Sequence, residues 1–209
     1  METLLQITLI LHIIAGMSAL VCGLIALLLR KGSSRHKLNG NIFFYSMIGV
    51  AITALFISAF KSNDFLFYIG LFSLFMTLSG KRAIQNKTSS PGKIDILIFI
   101  LGLGTGIWML AEANIVLRVF GALSLILALG DLNVYYKVYR QLAIPANTWL
   151  IRHIRHMVGS YISTATAFLV VNIQFDPAWI MWLIPTAFGT PVIIYWIRKI
   201  TPQPKKQLS

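Results

Sequence analysis

Seven times along this chain an apolar run of about twenty residues recurs, each long enough to cross the roughly 30 Å hydrocarbon core of a bilayer as one helix. The runs are Leu4 to Leu29, Asn41 to Phe60, Phe65 to Ile84, Ile94 to Glu112, Ile115 to Tyr136, Leu150 to Asn172 and Ala178 to Ile197. In lipid, backbone N–H and C=O groups must pair within the segment or in a closed barrel, so runs of this length predict helices. A soluble chain of 209 residues has no single core large enough to hide them all. Composition agrees, with 57% hydrophobic and 11% charged residues, against about 25% charged in a soluble domain. Soluble enzymes, disordered chains and disulfide scaffolds are thereby excluded. The reading is an all-α, seven-span membrane bundle forming a single domain over residues 1–200, followed by a short polar cytoplasmic tail at 201–209.

Turn residues punctuate the runs at Lys31-Gly32-Ser33-Ser34, Lys61-Ser62-Asn63-Asp64, Thr88-Ser89-Ser90-Pro91-Gly92 and Asp176-Pro177. Only Glu112-Ala113-Asn114 separates the fourth and fifth, which predicts a tight helical hairpin. The net charge of +12 sits mainly in these breaks. Sixteen of the 18 Lys and Arg residues follow runs one, three, five and seven or open run six; only Lys61 and Arg118 fall on the other side, with Glu2, Asp64, Glu112 and Asp176. Positive loops stay in the cytoplasm, so the N-terminus is predicted outside and the C-terminus inside. The cations would then meet anionic headgroups of the lipid bilayer. No basic stripe is interleaved with aromatics, so nucleic acid is not an expected partner. The first run has no leading cation and no small-residue cleavage box, and is expected to stay in the protein as a span. Cys22, the lone cysteine, lies inside it as a buried inert thiol.

Ionisable residues inside a span cost about 2.5–3.5 kcal/mol each on insertion scales, so each asks for a partner or a purpose. His12 lies in span one, where His12, Gly16, Ala19 and Gly23 share a helix face, either a close-packing seam or a ligand site. Asp131 stands toward the inner end of span five and should be paired with Arg82 or a span-six histidine. Span six opens Arg152-His153-Ile154-Arg155-His156, and with Ser160 and Ser163 its two histidines form a polar stripe facing other helices. Arg152 and Arg155 can snorkel to phosphate beside that stripe. His36 leads into span two. His36, Asp131, Arg82, His153 and His156 all fall in the cytoplasmic third, where three imidazoles and a carboxylate could hold zinc as in a metal-dependent hydrolase. Arg82, Ser160 and Ser163 would line the pocket. Haem b held by His12 and His153 is the other use of intramembrane histidine. Against it, the 18 residues from His12 to Arg30 put His12 about 27 Å from the inner boundary, far from the level of His153. Gly102, Gly104 and Gly106 read as close helix packing, and Pro185 and Pro191 as a kink or break in span seven that a small-solute carrier could use. No nucleophile elbow, phosphate loop or paired carboxylates fixes a reaction.

Several of these residues form a pattern: His12-x3-Gly16, Arg35-His36-x3-Gly40, Ser79-Gly80-x-Arg82, Asp131, the stretch from His153 to Asn172, and Pro185-x3-Gly189-x-Pro191. Together they resemble a family of bacterial multi-pass predicted membrane proteins with a domain of unknown function. The resemblance implies a bacterial inner-membrane location and supplies no activity, substrate or cofactor. Seven spans with an outside N-terminus also resemble the membrane hydrolases related to alkaline ceramidases. That family pairs histidines four apart in its last helix, whereas span seven here has none.

Overall fold

The computed structural model describes residues 1–201 and is helical throughout. The expected tail, apart from Thr201, lies outside the described residues. Seven helices follow one another: α1 Glu2–Leu28, α2 Ser34–Phe60, α3 Asp64–Gln85, α4 Lys93–Ala111, α5 Ile115–Tyr139, α6 Thr148–Asn172 and α7 Trp179–Ile200. Their ends lie within about three residues of the apolar runs, with one exception. Helix α2 begins seven residues before Asn41, because the Ser33 side chain accepts from the His36 amide (3.2 Å) and caps a polar first turn through Arg35, His36 and Lys37. The hairpin between α4 and α5 is closed by Asn114, whose side chain accepts from the amides of Val116 (2.9 Å) and Leu117 (3.3 Å). Helix α7 is continuous through Pro185 and Pro191, so the expected break, the alternative to a kink, is not present there.

Five helices, α1, α2, α4, α5 and α7, are long and apolar enough to cross a membrane. This is the character of a multi-pass membrane protein in a lipid environment. Helices α3 and α6 are as long but carry more polar groups, and they stand at the centre: α3 packs on α2, α4, α5 and α6, and α6 on α1, α3 and α7. Shielded from lipid by the other five, they can hold polar side chains that find partners in each other. Thr77 meets Ser160 (2.7 Å) and Ser73 meets Ser163 (2.5 Å), all four buried. The main apolar core lies beside this seam, with Phe72, Phe75 and Met76 of α3 against Met109, Phe120 and Leu127 of α4 and α5.

Glycine spacing sets how closely helices approach. A Cβ on Gly102 would fall 2.4 Å from the Phe75 ring, and one on Gly121 would fall 2.9 Å from the backbone oxygen of Gly106 and the amide nitrogen of Leu110. Two of the three span-four glycines thus mark close packing. Gly104 has nothing within 4 Å and is not a packing residue.

Candidate functional site

Two polar features occupy the same end of the bundle, where α1, α3, α5 and α7 finish and α2, α4 and α6 begin. One is a buried chain of ionic and hydrogen-bonded side chains. The other is a cleft.

The chain is built on Asp131 of α5, 4% exposed, which accepts from Arg152 Nε (2.9 Å) and Nη2 (3.2 Å) and from His156 Nε2 (3.0 Å), with Arg155 Nη2 at 3.6 Å. Arg152, His156 and Arg155 stand at i, i+4 and i+3 on α6, so one helix face delivers all three. One turn beyond Asp131, the Tyr135 hydroxyl accepts from Arg152 Nη2 (2.5 Å) and donates to Asp95 Oδ1 (3.3 Å). Asp95 sits in the first turn of α4, taking the Gly92 amide (2.9 Å) as an N-terminal cap and the fork of Arg82 through Nε (3.0 Å) and Nη2 (2.8 Å). The sequence Arg82, Asp95, Tyr135, Arg152, Asp131, His156 therefore ties α3, α4, α5 and α6 together. Bidentate arginine–carboxylate pairs are among the stronger hydrogen-bonded contacts, and here they also satisfy charges that lipid would not.

Asp131 is paired as a carboxylate in this position requires, but its arginine is Arg152 and not Arg82, which belongs to Asp95. Arg152, 1% exposed, does not reach toward phosphate. Asp95, Tyr135 and the inward turn of Arg152 escaped the sequence reading. The available signal was Pro91-Gly92-x-x-Asp95, an acid in a helix's first turn, which reads as a cap and conceals the second role.

The histidines do not meet. His36 donates from Nδ1 to the Ala26 carbonyl (3.0 Å), His153 from Nδ1 to the Gly80 carbonyl (2.9 Å), and His156 turns to Asp131. Among the described residues no three His, Cys, Asp or Glu side chains are grouped to hold a metal ion. The set His36, His153, His156 and Asp131 is thus not assembled, because His153 and His156, three residues apart, bond to different neighbouring helices. Ser160 and Ser163 serve the α3–α6 seam rather than a pocket wall. His12 faces Thr53 Oγ1 (2.9 Å); since that hydroxyl donates to Gly49 (2.7 Å), the imidazole is the donor across α1 and α2.

The cleft, about 510 Å³, opens between α1, α2, α3, α6 and α7. Its deep walls are apolar, formed by Phe43, Met157 and Tyr161 among others, and its mouth carries Lys31, Lys37, Lys81 and Lys87. His36 and His153 line it too. Their Nδ1 hydrogen bonds leave Nε2 as the uncommitted ring nitrogen of each. Lys31, in the turn after α1, donates to the Ala26 carbonyl (3.1 Å) and to Leu27, and partial burial pushes its ammonium below the usual lysine range.

Residues 9–91 match the model of a family described as a predicted membrane protein (DUF2306). The match takes in His12, His36, Gly40, Gly80 and Arg82; Asp131, the stretch from His153 to Asn172 and the prolines of α7 lie beyond it. No curated protein and no solved structure matches the chain.

Proposed function

We propose that the protein is a seven-span, single-domain protein of the bacterial inner membrane, with its N-terminus outside, its C-terminus in the cytoplasm, and a ligand-binding cleft on the cytoplasmic face. It acts by binding, as a carrier or receptor. The observation that carries this reading is the cleft itself, whose volume falls within the roughly 300–1,000 Å³ of small-molecule sites. It combines apolar walls with a few polar groups gathered at one end. The positive-inside rule supplies the orientation, since the cations around the cleft belong to the sixteen-to-two majority. Zinc hydrolysis by His36, His153, His156 and Asp131, and haem ligation by His12, find no support in this arrangement.

Topology is tested by reporter fusions. Fusion at Ser62 should report the periplasm and fusion at Ser209 the cytoplasm; the same side at both sites would defeat the orientation.

Binding is tested by filling the cleft. Gly40 lines it, and a Cβ there meets nothing within 4 Å, so Gly40→Phe can occupy the space without displacing backbone. Replacing a helical glycine also favours the helix by some tenths of a kcal/mol. Native mass spectrometry of the wild type, purified gently from membranes, should show a small molecule that the Gly40→Phe protein lacks, at unchanged melting temperature. Identical small-molecule content in the two proteins would overturn the reading.

A further inference from the structure

The cleft's chemistry names a class of occupant. The geometry points to one lipid of the cytoplasmic leaflet with an anionic phosphate headgroup, its head among Lys31, Lys37, Lys81 and Lys87 and one acyl chain laid along α6. This inference rests on the cleft being a ligand site, as proposed above.

Charge is the first reason. Four lysines and two histidines line the cleft, and no Asp or Glu does. The chain has six acids in all. Asp95 and Asp131 are consumed by Arg82 and Arg152. Glu2, Asp64, Glu112 and Asp176 stand at the start of α1, the start of α3, the end of α4 and just before α7, all at the opposite end of the bundle. Three of the four lysines lie on neutral groups instead. Lys81 donates to Asn41 (2.6 Å), Lys87 lies over the Trp149 ring (5.0 Å) and Lys31 over Trp196 (5.2 Å). Each ammonium has three donors, so these contacts leave capacity for phosphate oxygens. Four cations lining one cleft with no counter-charge among the described lining residues raise the local potential for an anion.

Shape is the second reason, and it separates a lipid from a free anion. The cleft follows α6 from Trp149 to Tyr161, twelve residues or about 18 Å. One leaflet contributes about half of the roughly 30 Å hydrocarbon core, so the length suits an acyl chain. A soluble phosphate would use only the mouth and leave Phe43, Met157, Val158 and Tyr161 uncovered. Trp149 and Trp196 line the cleft beside Lys87 and Lys31, and indole rings favour the boundary between headgroup and hydrocarbon.

The test uses the full chain in detergent with defined lipids added, read by native mass spectrometry. The wild type should retain one dioleoyl phosphatidic acid, at least about tenfold in preference to dioleoyl phosphatidylcholine. The Lys31→Gln, Lys37→Gln, Lys81→Gln, Lys87→Gln quadruple variant should lose that preference, and Gly40→Phe should lose the bound lipid altogether. Should the quadruple variant not fold, salt gives the same information on the wild type. Raising it from about 0.1 M to about 1 M shortens the screening length from roughly 10 Å to roughly 3 Å and should erase most of the preference. Equal binding of both lipids, with Gly40→Phe excluding both, would overturn the anionic headgroup and leave the cleft reading intact. Phosphatidic acid binding that Gly40→Phe does not disturb would place the lipid outside the cleft and overturn the inference. Displacement by millimolar inorganic phosphate would overturn it in favour of a free-anion site.

Discussion

Asp131→Ala should lower the stability of the detergent-solubilised protein by about 3–5 kcal/mol, the range for removing one partner of a buried ion pair. The reason lies in what stays behind. Arg152 is 1% exposed and His156 0%, so neither can reach water or headgroups once the carboxylate is gone. Arg152 would keep only the Tyr135 hydroxyl among its partners, and that hydroxyl lies between two charges of the same chain. Asp131→Asn, which keeps the shape and some hydrogen bonds, should cost less than Asp131→Ala. The double replacement Asp131→Ala, Arg152→Met should be less damaging than the sum of its parts, because the second change removes the charge that the first left stranded. Denaturant or thermal midpoints check this series. A loss below about 1 kcal/mol for Asp131→Ala would mean that the chain from Arg82 to His156 contributes little to holding the helices together.

Gly121→Leu should separate α4 from α5, whereas Gly104→Leu should be tolerated. Both glycines lie in the α4–α5 hairpin, but only Gly121 faces the other helix. A side chain on Gly121 enters backbone, with Gly106 O and Leu110 N each 2.9 Å from its Cβ, and backbone cannot rotate aside as a side chain can. Overpacking against side chains costs about 1–3 kcal/mol, and this site should reach or exceed the top of that range. Gly104 opens onto space, so leucine there gains helix propensity and loses no contact. Comparable melting temperatures for the two variants would contradict the close α4–α5 approach. A selective loss at Gly121 would support it and would also disturb Ser124, whose hydroxyl donates to the Gly102 carbonyl (2.7 Å) across the same interface.

Helix positions were legible because two independent signals coincided at nearly every boundary. Hydropathy marked the stretch that lipid must cover, and residues such as Asn114 and the Pro91-Gly92 pair marked where backbone groups need other partners. The start of α2 shows the limit of the first signal. Hydropathy reports the thickness of the apolar layer, and a helix that continues past it through Ser34, Arg35, His36 and Lys37 is invisible to an apolar window. The candidate site was legible in composition but not in pairing. His36 and His153 do line one cleft, yet His156 and Asp131 do not join them, because His156 bonds to Asp131 of α5 while His153 bonds to the Gly80 carbonyl of α3.

What the sequence determined by itself follows from solvent and chain geometry: helices rather than strands, their number, their approximate ends, and the gathering of cations at alternate turns. Each rests on local rules, since a twenty-residue apolar segment has few ways to satisfy its backbone in lipid. Tertiary structure alone decided that α3 and α6 are the centre, that Arg152 turns inward to Asp131 while Arg82 takes Asp95, and that four lysines line one cleft with no acid among its described lining residues. Those outcomes depend on which helix faces meet, and a span is nearly equally apolar in several rotations. The ion pairs choose among them, because a buried arginine without its carboxylate costs several kcal/mol and a misrotated leucine in lipid costs almost nothing.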